Sequence, residues 1–107
     1  MRRKSIVNLS SQTTAGVRVL RLYVADGAPN SVQAIANLGV ICQQYLQGNF
    51  HLEIVDVVEQ PLRALADGVI VTPSLIKLLP LPVVQIVGNL NDKHQVLLAL
   101  GLEGNVE

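Results

Sequence analysis

The sequence has little cysteine, few aromatic residues and no excess of charge, and each shortage excludes a class of function. A single cysteine, Cys42, excludes an intramolecular disulfide and indicates a reducing compartment, so we expect a cytoplasmic protein. Only Tyr23, Tyr45 and Phe50 are aromatic, which leaves almost no platform for stacking nucleic-acid bases. Lys plus Arg and Asp plus Glu number 8 each, and so no electrostatic footprint predicts binding to nucleic acid or to an anionic membrane.

Long apolar runs, phosphate-binding loops and metal-ligand clusters are missing as well. The apolar runs are too short and too often interrupted by proline or glycine to span a bilayer, and residues 5–16 lack the apolar core of a signal peptide. Gly101 and Gly104 lie in a polar tail rather than after a strand, which excludes a glycine-rich phosphate loop. His51 and His94 are far apart in the sequence, and no cluster of cysteine or carboxylate residues accompanies them at the spacing of metal ligands. We therefore predict no catalytic, cofactor or metal site.

The residues that are present suit one compact α/β domain, since 50% of them are hydrophobic. The mostly apolar run 17–25 predicts a strand that is buried on both faces, and residues 50–58 predict a second strand. A helix between them completes a right-handed βαβ unit. We interpret residues 1–16, which are polar with a basic start, as a flexible tail, residues 17–102 as the domain, and residues 103–107 as a C-terminal tail.

The helix of this unit has a start signal, an apolar stripe and a stop signal. Asn30 and Gln33 have the spacing of a capping box, and Gly48 is a good left-handed terminator. Gly39 in the middle of the helix predicts close packing on the sheet. The expected apolar stripe consists of Val32, Ile35, Leu38, Ile41 or Cys42, and Tyr45.

The second half of the chain is locally degenerate. Thr72-Pro73 between two apolar runs is typical of a cis-proline bend that starts a strand, but Thr72 can also cap a helix with Pro73 at its first position. Residues 74–79 and 83–87 suit strands, yet each also has helical features. Asp92 predicts a helix cap, although the residues that follow could pair as an edge strand. A short helix at 62–67, ended by Gly68, precedes these segments.

A thioredoxin-like fold makes a redox enzyme the first functional hypothesis, and the cysteine usage argues against it. Active cysteines would lie in the turn after the first strand, where the dipole of the following helix lowers the pKa of a thiol. That turn, residues 26–31, contains no cysteine. We interpret Cys42 as a small buried hydrophobic residue, and Ser31 as a residue of the helix start rather than a glutathione-binding hydroxyl.

Many short motifs in one register resemble the KaiB family of cyanobacterial circadian-clock proteins. The resemblance covers about residues 18–100 without a gap. The motifs are residues 20–25, 29–32, 52–57, 72–77, 79–80, 82–83, 86–88 and 96–97, together with Pro61.

The resemblance implies a non-enzymatic regulator that binds a KaiC-like hexameric ATPase and modulates its phosphorylation cycle. It also implies capture of a KaiA-like protein, competition with a KaiB-like sensor domain of a histidine kinase, and self-association as a homotetramer or dimer in a resting state. Two alternatives stay open, namely a KaiB-like sensor or stress-response module with another partner, and a thioredoxin-fold redox enzyme.

The family is also known for two folds, which implies that the second half of this chain can adopt either a thioredoxin-like β-α-β-α-β-β-α order or a resting β-α-β-β-α-α-β order. We expect a crystal of the free protein to show the resting order. We interpret Thr72, Pro73, Gly88 and Asn89 as the residues at which the two folds diverge.

Several charged positions of the family pattern are apolar or neutral here, which indicates a divergent paralogue that serves a different KaiC-like partner. The replacements are Leu65 and Ala66 for acidic residues, Val84 and Gln85 for basic residues, and Asn89 and Asn91 in the usual Gly-Asp-Leu-Ser motif. The predicted partner-binding residues are Arg21, Arg63, Asp67 and Lys77, which are charged groups in otherwise apolar surroundings; Arg21 and Lys77 hold positions that are commonly basic in the family.

Overall fold

The structure, a computed structural model, describes residues 17–102, and the predicted tails at 1–16 and 103–107 lie outside the described residues. The elements follow the thioredoxin-like order, β-α-β-α-β-β-α, and not the resting order that we expected for a crystal of the free protein. They are β1 (Arg18–Val24), α1 (Pro29–Ile41), a π-helical turn (Cys42–Leu46), β2 (Phe50–Asp56), α2 (Pro61–Ala66), β3 (Ser74–Leu79), β4 (Val84–Val87) and α3 (Lys93–Ala99).

One sheet with the strand order β2-β1-β3-β4 organises the chain. β1 and β2 are parallel, as a helical crossover between two strands requires, whereas β3 is antiparallel to both β1 and β4. Leu20 of β1 lies opposite Leu52 of β2 and Lys77 of β3. β2 and β4 are therefore the edge strands of the described sheet.

The two faces of the sheet are covered unequally. Helices α1 and α3 cover one face, which we call the α1/α3 face, and bury the larger apolar cluster there, including Leu20, Leu22 and Leu38. The opposite face, the α2 face, has only a small cluster, made of Tyr23, Val55, Ala64, Val69 and Ile76. The six-residue helix α2 contributes one buried residue, Ala64, to this cluster.

Helix α1 starts differently from the sequence prediction. It begins at Pro29 after Ala28, and no side chain caps it, so the predicted capping box is wrong. Its buried stripe is Ser31, Ala34, Leu38 and Ile41, whereas Val32 and Ile35 are exposed. The hydroxyl of Ser31 accepts a hydrogen bond from the Ala25 N–H at 3.0 Å, which ties the small side chains of the first turns against the sheet.

Gly39 was expected to pack closely on the sheet, and this is wrong because it is exposed with open space where a Cβ would lie. The end of the helix agrees better with the prediction. After the π-helical turn, Gln47 and Gly48 adopt positive φ angles of 45° and 90°, and the Gln47 N–H donates to the Cys42 carbonyl at 3.1 Å. This stops the helix where the glycine predicts it.

The second half adopts the strand interpretation of Thr72-Pro73. The peptide bond between these residues is cis, and β3 begins immediately afterwards at Ser74. The bonds Leu79–Pro80 and Leu81–Pro82 are cis as well. The predicted cap of the last helix is confirmed, since the Asp92 carboxylate accepts a hydrogen bond from the Gln95 N–H at 3.2 Å.

Candidate functional site

Four charged side chains and one tyrosine meet on the α2 face, and we call this group the ionic cluster: Arg21, Tyr23, Glu53, Arg63 and Asp67. Alternation along β1 places Arg21 and Tyr23 on the same face of the sheet. The parallel register places Glu53 of β2 directly opposite Arg21. Arg63 of helix α2 and Asp67, the C-cap residue of that helix, complete the group.

The ionic cluster is continuous and electrically neutral. Arg21 lies between the two carboxylates, with Nε 3.1 Å from Glu53 Oε1 and Nη1 2.9 Å from Asp67 Oδ2. Arg63 binds both oxygens of Glu53, at 2.7 and 2.8 Å. Such a bidentate pair is the geometry that makes arginine–carboxylate contacts strong and specific. Two guanidinium groups thus balance two carboxylates.

Hydrogen bonding shifts the pKa of each acid in the cluster. Hydrogen bonds from Arg63, and then from Arg21, lower the pKa of Glu53 to about 2. The Tyr23 hydroxyl, which lies 2.5 Å from Asp67 Oδ2, is the main cause of the lowered pKa of Asp67, and Arg21 adds to it. Burial and the bond to Asp67 raise the pKa of Tyr23. Both carboxylates are therefore ionised and engaged at neutral pH, which suits a structural role rather than proton transfer.

The cluster holds α2 to the sheet and leaves apolar side chains exposed beside it. Ala64 is the buried residue of α2, while Leu62 and Leu65 are 77% and 70% exposed. Val58, in the turn before the helix, is also exposed. We call Val58, Leu62 and Leu65 the α2 surface. An exposed apolar patch on a helix that is fixed by ion pairs is suited to docking a protein partner.

The structure brings three of the four predicted partner-binding residues together and separates the fourth. Arg21, Arg63 and Asp67 belong to the ionic cluster. Lys77 points to the α1/α3 face, is only 5% exposed, and donates hydrogen bonds to the carbonyls of Pro80 and Pro82. Burial, and then the charge of Arg18, lower its pKa. Lys77 therefore does not share a surface with the other three residues.

Sequence reasoning missed Tyr23 and Glu53 as members of the cluster. The available signal was that Arg21 and Tyr23 are two residues apart in β1 and so share a face, and that the neighbouring strand carries two acidic residues, Glu53 and Asp56.

The four residues interpreted as the point of divergence lie close to one another. The Gly88 N–H donates to the carbonyl of Pro73 at 2.9 Å, and Gly88 has a φ of 120°. Asn89 attaches this region to α1, because its side chain donates to Gln33 Oε1 at 2.9 Å and its carbonyl accepts from Asn37 at 2.9 Å. This contact, and not a capping box, is the observed role of Gln33.

The turn that would carry a redox site has no cysteine, and Cys42 is unsuited to nucleophilic chemistry. Burial raises the pKa of the Cys42 thiol to about 11, so the thiol is protonated at neutral pH. Within residues 17–102, no three His, Cys, Asp or Glu side chains are grouped so that they could hold a metal ion. In the same part of the chain, no helix has the length and apolar character needed to cross a membrane.

Residues 21–102 match the family model described as the KaiB domain. The circadian clock protein KaiB3 of Synechocystis sp. is 46% identical over 84 residues, which cover 78% of this chain and 82% of that protein. The circadian clock oscillator protein KaiB of Cyanothece sp. is 45% identical over 84 residues, which cover 78% of this chain and 80% of that protein.

Two solved structures represent the similarity in fold. The N-terminal domain of SasA from Synechococcus elongatus superposes with a TM-score of 0.58 at 26% identity, over 79% of this chain and 84% of that domain. Mitochondrial thioredoxin 3 from Saccharomyces cerevisiae superposes with a TM-score of 0.66 at 16% identity, over 91% of this chain and 86% of that protein. The second likeness shows a thioredoxin-like fold and nothing about activity.

Proposed function

Because this chain belongs to the KaiB family, whose curated members are named as circadian clock proteins, we propose that it binds a KaiC-like hexameric ATPase and modulates the phosphorylation cycle of that ATPase. The proposal is for a non-enzymatic regulator in the cytoplasm. The α2 surface is the single observation that carries it, since a docking module needs an exposed apolar patch on a fixed scaffold.

Three features support the α2 surface as the contact with the ATPase. Its two leucines, Leu62 and Leu65, are exposed and are not part of the apolar clusters that the hydrophobic half of the chain forms. The ionic cluster below it is neutral, and so it adds no net repulsion toward a protein partner of either charge. Leu65 also stands at a position that is usually acidic in the family, which fits a divergent paralogue with a more apolar partner. Arg63 and Asp67 then act by holding α2 in place.

Other parts of the family pattern remain proposals for this chain. They include binding of a KaiA-like protein or a histidine kinase, and exchange between the thioredoxin-like and resting orders around Thr72, Pro73, Gly88 and Asn89. The resemblance in fold to the SasA domain supports a place among clock proteins in general. A resting dimer or tetramer also stays a prediction.

The test is direct binding to purified KaiC-type ATPase rings from a cyanobacterium, measured with the full chain by biolayer interferometry. Leu62→Glu and Leu65→Glu should each weaken binding about tenfold or more, because each would bury an unpaired carboxylate in an apolar contact, and tenfold in affinity corresponds to only about 1.4 kcal/mol. Leu98→Glu is the matched control, since Leu98 is similarly exposed on a helix of the opposite face. Circular dichroism checks that all three variants fold.

Two results would contradict the proposal. Wild-type protein that binds none of the KaiC-type rings would favour the alternative of a sensor or stress-response module with another partner. Equal loss of binding in Leu98→Glu and in the α2 variants would place the contact elsewhere. Arg63→Ala should lie between the wild type and the leucine variants, because it loosens α2 without adding a charge to the surface.

A further inference from the structure

The outer side of β2 is an open edge of the described sheet, and two hydrogen bonds fix which of its backbone groups point outward. The Asn49 carbonyl, just before β2, accepts a hydrogen bond from β1 at 3.1 Å, and the Val57 N–H, just after β2, donates to β1 at 2.9 Å. Backbone groups alternate in direction along a strand, so the odd-numbered residues of β2 bond to β1 and the even-numbered residues point away from it. The residues whose N–H and C=O groups point outward, with no strand beside them in residues 17–102, include Phe50, Leu52 and Ile54.

The same three residues make this edge apolar on the α1/α3 face. Phe50 and Leu52 are partly buried against the larger apolar cluster, and Ile54 is 45% exposed. A strand beside β2 would therefore cover apolar side chains and also satisfy the outward backbone groups. Main-chain hydrogen bonds and alternate side chains are the two sources of affinity in strand addition.

The carboxyl ends of β1 and β2 carry three acidic side chains. Asp26 lies in the turn after β1, Asp56 ends β2, and Glu59 lies in the turn that follows. Among residues 17–102, no Lys or Arg side chain forms an ion pair with any of the three, whereas both carboxylates of the ionic cluster are engaged. This end of the open edge is therefore negative and is suited to a basic segment.

The chain itself has a basic and apolar segment before β1. This segment precedes residues 21–102, which match the family model. Residues 5–9 read Ser-Ile-Val-Asn-Leu, and their β-branched and apolar side chains are typical of a short strand. Arg2, Arg3 and Lys4 stand directly before them, and the polar residues 10–16 connect them to β1.

We propose that residues 5–9 pair antiparallel with the outer side of β2 as a fifth strand, with Val7 opposite Ile54 and Leu9 opposite Leu52. The link at residues 10–16 can span about 23 Å, and the position outside β2 lies only two strand spacings, about 10 Å, from β1. A parallel arrangement would need a crossover of a dozen or more residues, and so the link permits only the antiparallel one. In this register Val7 and Leu9 extend the apolar surface of the α1/α3 face.

The register also brings opposite charges together. It carries residues 2–4 past the end of β2, so that Arg2 and Arg3 lie beside the turn that contains Glu59. The edge at β4 is less suitable, because it lies farther from β1 and no charged residue occurs between Lys77 and Asp92 to attract a basic segment. Length of the link and charge thus both favour the β2 edge.

Docking makes residues 5–9 part of the folded domain, in place of the flexible tail that their composition predicts. An extended segment of another protein can then reach the β2 edge only after residues 5–9 leave it. High salt favours their release, because exposed ion pairs are screened. The inference does not rest on binding to the ATPase, since its test reads the backbone of β2 in the chain alone.

The test is amide hydrogen exchange of the full chain, measured by NMR at two protein concentrations. Val7→Pro removes the N–H that faces β2, and the Leu52 and Ile54 amides should then exchange at least about tenfold faster than in the wild type. Asn8→Pro is the matched control, because the Asn8 N–H points away from β2 and proline is tolerated at such a position of an edge strand. The odd-numbered amides of β2, which bond to β1, should exchange equally in all variants.

A second pair of variants tests the basic end. Arg2→Glu/Arg3→Glu/Lys4→Glu should speed exchange of the same two amides, because it replaces attraction to the acidic end of the edge with repulsion. Arg2→Lys/Arg3→Lys keeps the charge and should leave the exchange rates unchanged. Wild-type rates in the triple-glutamate variant would overturn the proposed register.

Three other results would overturn the docking itself. The first is equal exchange of the Leu52 and Ile54 amides in the wild type and in Val7→Pro. Faster exchange of Gln85 and Val87 in Val7→Pro, in place of the β2 amides, would assign the segment to the β4 edge. Rates that depend on protein concentration would assign the protection to a contact between copies.

Discussion

The hydroxyl of Tyr23 is the most deeply placed polar group of the ionic cluster, and Tyr23→Phe removes it while keeping the ring. Tyr23 is fully buried, and its hydroxyl lies 2.5 Å from Asp67 Oδ2 and 3.1 Å from the Arg63 carbonyl. The substitution leaves Asp67 without the donor that contributes most to its lowered pKa. The loss therefore concerns one hydrogen bond to a charged group and not the packing of the small apolar cluster on the α2 face.

Hydrogen bonds to charged groups stabilise proteins by about 1.5–3 kcal/mol, and so Tyr23→Phe should cost about 2 kcal/mol at pH 7. With a urea m-value of roughly 1–2 kcal/mol per molar, the unfolding midpoint should fall by about 1–2 M. Asp67 has a folded pKa below its ordinary value of 3.8. The contribution of ionised Asp67 to the free energy of unfolding is therefore complete above pH 3.8, and it is lost as the pH falls through the lower folded pKa. The cost of Tyr23→Phe should shrink accordingly in acid.

The assay is urea unfolding at pH 7 and at several values below pH 4, with NMR titration of the Asp67 carboxyl. Tyr45→Phe is the matched control, because Tyr45 contacts Lys93 through its ring and its hydroxyl has no hydrogen bond within residues 17–102. The Asp67 pKa should rise toward 3.8 in Tyr23→Phe and stay unchanged in Tyr45→Phe. Equal costs for the two variants, or a Tyr23→Phe cost that does not vary with pH, would refute this account of the cluster.

Two further predictions concern the α1/α3 face. Lys77→Met should destabilise the fold by about 1–2 kcal/mol in urea unfolding, because the carbonyls of Pro80 and Pro82 lose their donor; a stabilised variant would show that burying the ammonium costs more than its bonds contribute. Cys42 should react with a thiol reagent only on unfolding, since it is buried with a pKa of about 11. Disulfide reduction by the wild type that disappears in Cys42→Ser would contradict this prediction and the non-enzymatic proposal.

Local signals in the sequence predicted most of the elements correctly. Asp92 caps α3, and Gly48 follows the end of the π-helical turn that extends α1. Each of these features depends on residues within a few positions of one another, through a cap, a turn or a restricted φ angle. Such interactions are fully specified by neighbouring residues, and so they can be read from the chain.

The rotation of α1 could not be predicted in the same way. Val32 and Ile35 have the more apolar side chains, yet Ser31 and Ala34 face the sheet. The contact between Ser31 and Ala25 at the end of β1, and the bonds from Asn37 and Gln33 to Asn89, decide the orientation. The contacts of α1 with Asn89 are long-range, and local periodicity carries no information about them.

The sequence by itself determined that this chain is an α/β domain of the KaiB family with no cysteine in the redox turn, because family motifs, strand patterns and caps are local. Only the tertiary structure decided that Arg21 meets Asp67, 46 residues away, and that Lys77 turns to the other face. It also decided between the two conformations that Thr72-Pro73 allows. These outcomes depend on which strands become neighbours and in what register, and a one-residue change of register sends a side chain to the opposite face of the sheet.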